Sequence, residues 1–138
     1  MKLLFKTNIL CLAIIFGVAS FSSCEKDEMI PPTLDFTTGS GYISSDAHVA
    51  LNTNFKIGVV AKRTEDKDDL KTFVVTVSYD GAAATTVENL TLTSAQGAEF
   101  TKDYNLTTRN VAGTEKYTFT VTNRDGLITS KSITITVP

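Results

Sequence analysis

From Leu34 to the end of the chain, apolar residues alternate with polar ones in repeated segments, and no helix-period stretch of useful length appears. Phe55, Ile57, Val59 and Ala61 alternate with Lys56, Gly58, Val60 and Lys62, which predicts a strand with one buried face. Phe73, Val75, Val77 and Tyr79 alternate with Val74, Thr76 and Ser78 in the next, and Tyr117, Phe119 and Val121 with Thr118, Thr120 and Thr122 in another. Ile133, Ile135 and Val137 mark a last strand against Thr134 and Thr136. The turn Asn123-Arg124-Asp125-Gly126 joins the last two, its glycine supplying the positive φ of a tight hairpin. Shorter strands are expected at Leu34–Phe36, at Leu90 and Leu92, and at Tyr104 and Leu106. After the break at Gly39-Ser40-Gly41, Tyr42-Ile43 is expected to resume pairing on the other sheet. About seven or eight short strands punctuated by Gly, Asn, Asp and Ser predict an all-β, antiparallel β-sandwich over residues 34–138. Threonine on the alternate positions suits this, because it fits the pleat while staying polar.

The first 33 residues are of another kind. Lys2 and Lys6 precede an apolar run, Ile9 to Phe21, that is shorter than the roughly 20 residues of a spanning helix but suits an export signal. Phe21-Ser22-Ser23-Cys24 resembles the lipobox of bacterial lipoproteins, with Phe where Leu is usual. That resemblance implies a signal peptide over 1–23 and a lipidated Cys24 as the new N-terminus. Cysteine usage agrees with it: Cys11 would leave with the leader, and lipidation removes the lone thiol at Cys24. Residues 24–33 then read as a lipidated, acidic and proline-stiffened tether, solvated because Glu25, Lys26, Asp27 and Glu28 cannot enter a core unpaired. The run Cys24-Glu25-Lys26-Asp27-Glu28 is similar to the surface-export signal of Bacteroidetes-type lipoproteins, which implies a lipid-anchored protein on the outer membrane, facing the cell surface.

Without Lys2 and Lys6, 11 basic side chains face 15 acidic ones, a net charge of −4. A mildly acidic surface argues against nucleic acid as a partner. The stretch from Gly113 to Gly126, followed by a Thr/Ser/Ile strand, resembles the C-terminal half of bacterial immunoglobulin-like modules of the PKD and fibronectin-III kind. The resemblance implies a single immunoglobulin-like sandwich. It also implies a corner role for Tyr117, whose hydroxyl would bond back to the main chain.

Candidate sites are few. Glu65-Asp66-Lys67-Asp68-Asp69 is the densest charge run, and immunoglobulin connectivity would set it at the same end as Asn123 and Asp125, and as the tether. Glu65, Asp66, Asp68, Asp69 and Asp125 are thus candidate Ca²⁺ ligands, although the run lacks loop-site spacing and a solvated loop explains it more simply. No cofactor is expected beyond the lipid on Cys24. His48 stands alone and lacks the partners of a zinc site or a catalytic triad. Phe73, Phe119, Tyr117 and Tyr79 fall on apolar faces, which leaves Tyr42 and Tyr104 as candidate sugar platforms, with Phe100 nearby in an Ala-Glu-Phe-Thr-Lys-Asp loop. Asn89-Leu90-Thr91 and Asn105-Leu106-Thr107 match a glycosylation sequon by chance.

The shortage of nucleophile–base pairs leads to the expectation that the chain is not an enzyme. It is expected to be a lipid-anchored interaction module accessory to glycan binding or uptake, with an outer-membrane transporter or a polysaccharide as partner. The alternatives are an adhesin or pilus subunit that exchanges the edge strand Leu34–Phe36, and a periplasm-facing lipoprotein of structural role.

Overall fold

A computed structural model of the chain describes residues 28–138. The leader, Cys24, Glu25, Lys26 and Asp27 lie outside the described residues. Among the described residues eight strands are found: β1 (Thr33–Phe36), β2 (Ala47–His48), β3 (Asn54–Lys62), β4 (Leu70–Tyr79), β5 (Thr85–Thr91), β6 (Glu99–Thr107), β7 (Gly113–Asn123) and β8 (Ile128–Val137). One turn of 3₁₀ helix, Ser94–Gln96, lies between β5 and β6. The strands form two sheets, ordered β1-β3-β6 and β2-β8-β7-β4-β5. The fold is an all-β, immunoglobulin-like sandwich, as the alternation requires.

The alternating residues meet between the sheets. Ile57, Val59 and Ala61 of β3 and Phe100 and Tyr104 of β6 face Phe73, Val75, Phe119, Val121, Ile133 and Ile135 of the larger sheet. Aromatic rings fill the centre. Phe119 meets Phe36 edge-on at 5.5 Å and Tyr104 at 5.5 Å, and Phe73 lies 4.9 Å from Phe100. In the β7–β8 hairpin, Gly126 has φ 83°, and the Asn123 side-chain oxygen accepts from the Asp125 and Leu127 amides at 3.1 and 2.8 Å.

Four expectations need correction. Tyr42-Ile43 does not cross to the other sheet. Gly39 and Gly41, both at positive φ, turn the chain back, and the Ile43 amide donates to the Lys56 carbonyl of β3 at 2.8 Å. The crossing comes later at β2, which pairs with β8 in parallel, so the sandwich is not wholly antiparallel. Phe100 lies within β6 rather than in a loop, opposite Ala61. Finally, the end of the tether is not a free spacer. The Glu28 and Ile30 amides donate to the Glu65 carboxylate at 3.1 and 3.2 Å, Thr64 donates to the Ile30 carbonyl, and Pro32 is buried with its carbonyl accepting from Thr129 at 2.5 Å.

This docking fixes two poles. The chain arrives beside Lys62 and the β3–β4 loop, where Thr33 pairs with Lys62 and the Arg124 amide donates to the Asp69 carbonyl at 2.8 Å. The opposite ends of β3, β6 and β7, at Asn54, Thr107 and Gly113, form the far pole, roughly 26 Å away along β3. β1 is an edge strand as expected. It is fastened to the other sheet by Asp35, whose carboxylate meets Lys131 of β8 at 2.7 Å.

Candidate ligand cleft

At the far pole, the outer face of the smaller sheet carries a cleft of about 470 Å³ lined by Gly41, Asn54, Phe55, Lys56, Asn105, Leu106 and Thr107. The register between β3 and β6 creates it. Asn54 stands opposite Thr107, Lys56 opposite Asn105, and Gly58 opposite Asp103, all outward because Ile57 and Tyr104, on the alternate positions, point to the core. Thr107 donates to the Asn54 side-chain oxygen at 2.7 Å. The loop 37–43 folds over one side and brings Tyr42 above Gly58.

Tyr42 is half-buried, and its hydroxyl donates to Asp103 at 2.8 Å. That bond, with burial and the Asp103 charge, raises the phenol above its ordinary value. The Lys56 ammonium lies over the Tyr42 ring at 5.1 Å from its centre and 3.6 Å from Asp103. Tyr42, the candidate sugar platform, thus already has a lysine seated on its ring.

Gly58 is what allows this arrangement. A Cβ there would fall 2.6 Å from Thr37 Oγ1 and 2.8 Å from Tyr42 Cε1. Gly58→Ala is expected to lower stability by about 1–3 kcal/mol through overpacking and to lift Tyr42 from Asp103. Urea unfolding checks the first effect, and the Tyr42 titration checks the second by falling back toward an ordinary phenol.

The other expected site residues are placed differently. Tyr104 is buried in the core, and its hydroxyl donates to Glu88 Oε2 at 2.7 Å while Lys102 bonds Glu88 Oε1 at 2.5 Å. It is no platform. Instead it ties β6 to β5 across the side of the sandwich. Burial opposes ionisation of Glu88, but the bonds from Lys102 and Tyr104 outweigh it and hold the carboxyl below its usual range.

The acidic run does gather near Asn123 and Asp125, but around arginines. Asp69 and Asp66 meet Arg63 at 2.6 and 3.4 Å, Asp68 and Asp125 meet Arg124 at 3.4 and 3.6 Å, and Glu65 holds the tether. Among the described residues no group of three or more His, Cys, Asp or Glu is arranged to hold a metal, which corrects the Ca²⁺ expectation. His48 is exposed on β2.

A second polar cluster at the far pole escaped the sequence reading. Glu115 of β7 is fully buried; its Oε1 accepts from the Arg109 amide at 2.8 Å and from Arg109 Nε at 3.2 Å, and its Oε2 from Tyr117 at 2.9 Å. Tyr117 thus bonds a carboxylate two residues back, not the main chain. Arg109 also packs over the Tyr79 ring at 4.3 Å and reaches Asp80 at 3.0 Å. The Thr114 amide and Arg109 together hold the Asp80 carboxyl below its usual range. The signal for Glu115 was present, since it falls in phase with Tyr117, Phe119 and Val121.

No protein-family profile matches the sequence, and no curated protein does either. Among solved structures, superoxide reductase (neelaredoxin) from Ignicoccus hospitalis superposes with a TM-score of 0.53 at 8% identity, over 79% of this chain and 81% of that one. A variant of the same reductase gives 0.54 at 8%, over 78% and 80%. Murine CRIg gives 0.44 at 13%, over 78% and 98%. At such identities the likeness is one of fold. It still corrects one expectation: this sandwich is shared with an enzyme, so the expectation that the chain is not one is withdrawn.

Proposed function

We propose that this chain is a lipid-anchored module of the outer membrane, displayed at the cell surface and accessory to the binding or uptake of a glycan. The observation that carries this reading is the position of the cleft. The tether docks at one pole through Glu65 and Pro32, whereas the cleft opens near the other, where an anchored domain would present it outward. Its lining of two asparagines, a threonine and a lysine also suits a ligand rich in hydroxyls, which needs several hydrogen-bonding groups fixed on rigid strands. The resemblance of 21–28 to a lipobox with a surface-export signal supports the anchor.

The test is crosslinking on intact cells that express the C-terminally tagged, lipidated protein, paired with external protease. Loss of the tag to protease, with recovery of a glycan or a glycan-transporting outer-membrane protein, is the expected result. A Cys24→Ala form that stays membrane-bound, or a wild-type tag resistant to protease on intact cells, would overturn the anchor or the surface assignment respectively.

A further inference from the structure

The seven residues that line the cleft include a single charged side chain, and it is the cation Lys56, on a domain whose overall charge is negative. The nearby carboxylate, Asp103, is not part of the lining. It sits one outward position further along β6, accepting the Tyr42 hydroxyl.

Hydrogen-bond donors are also available in the cleft. The ammonium of Lys56 makes only the 3.6 Å ion pair and the ring contact, which leaves its N–H groups for a ligand. The Asn54 oxygen accepts from Thr107 while its amide N–H groups make no bond among the described residues, and Asn105 directly opposite Lys56 makes no side-chain hydrogen bond among them either. The aromatic face that would stack on a neutral pyranose carries Lys56 instead.

We propose that the cleft binds an anionic sugar residue, its carboxylate or sulfate ester held by Lys56 with the Asn54 and Asn105 amides as further donors. Tyr42, anchored through its hydroxyl on Asp103, acts as a positioning residue whose ring holds Lys56 over the cleft. The inference rests on the glycan-binding reading and narrows it to acidic polysaccharides. Charge-assisted bonds of this kind are the strong ones, and on an exposed cleft they weaken with salt.

The experiment measures binding of polygalacturonate, and of the same polymer fully methyl-esterified, to the full chain purified in detergent. The acidic polymer is expected to bind and to weaken as salt is raised, and the ester to bind at least about tenfold more weakly. Lys56→Gln should bring the acidic polymer down to the level of the ester with an unchanged melting temperature. Asp103→Asn, which removes the competing carboxylate, should strengthen binding by about threefold. Equal binding of acid and ester, or a Lys56→Gln variant that binds as wild type, would overturn the anionic assignment and leave the glycan reading standing. If neither these polymers nor a panel of neutral ones binds, the glycan reading fails and the proposal falls with it.

Discussion

Arg109→Met is expected to lower the unfolding free energy by about 3–5 kcal/mol, a large share of what holds a domain of this size together. The reason is Glu115. Its carboxylate has no exposed surface, and Arg109 is the cation that reaches it, through both Nε and the backbone amide. Methionine keeps the amide bond and much of the packing over Tyr79, but it leaves a negative charge in the interior with only neutral donors. The loss should be specific to the pair. A double variant, Arg109→Met with Glu115→Leu, is expected to recover more than half of it, because a buried ion pair replaced on both sides by apolar groups is often nearly neutral. Urea titration of the four members of this cycle is the measurement. A single Arg109→Met variant within about 1 kcal/mol of wild type would contradict the argument.

The same cluster shows where sequence reading stops. Period two alone located the long strands, since the alternate apolar residues around Ile57, Phe73, Phe119 and Ile133 each fall on one side of their own strand. It also located the β7–β8 hairpin, whose turn residues act locally through Asn123 and Gly126. Pairings between distant segments were not legible. Lys56 and Asn105 face each other only because β3 and β6 align in one register, and nothing in either strand alone fixes that register. Tyr104 shows a related limit. The short strand around it left its face open, and only the partner Glu88, on β5 of the other sheet, reveals that its hydroxyl is satisfied inside. The acidic run 65–69 was visible as charge, whereas the arginines that neutralise it come from β3's end and the β7–β8 turn. Composition therefore overstated its availability to a metal.

A steep alkaline unfolding is the second large effect expected. Tyr104 and Tyr117 are both buried, and burial, followed by their bonds to the Glu88 and Glu115 carboxylates, pushes both phenols well above the ordinary value. In the unfolded chain these phenols release their protons near pH 10. Above that pH the unfolded state holds fewer protons than the folded one, so stability falls as pH rises; the contribution is complete below the unfolded value and is lost toward the folded one. Each group removes about 1.4 kcal/mol per pH unit, and the two together remove roughly 5 kcal/mol over two units. Glu88 works in the opposite direction. Its lowered value makes its contribution complete at neutral pH and lost as acid takes the pH below the usual glutamate range. Phenolate absorbance and the β-sheet circular dichroism, followed together into alkali, should therefore change in one cooperative step for Tyr104 and Tyr117. Phenolate formation by these two at ordinary pH in a chain that keeps its sheet signal would refute this. Tyr104→Phe and Tyr117→Phe test the linkage directly: each removes one titrating group, so the alkaline decline in stability becomes shallower by about 1.4 kcal/mol per pH unit even where the lost hydrogen bond lowers stability at neutral pH.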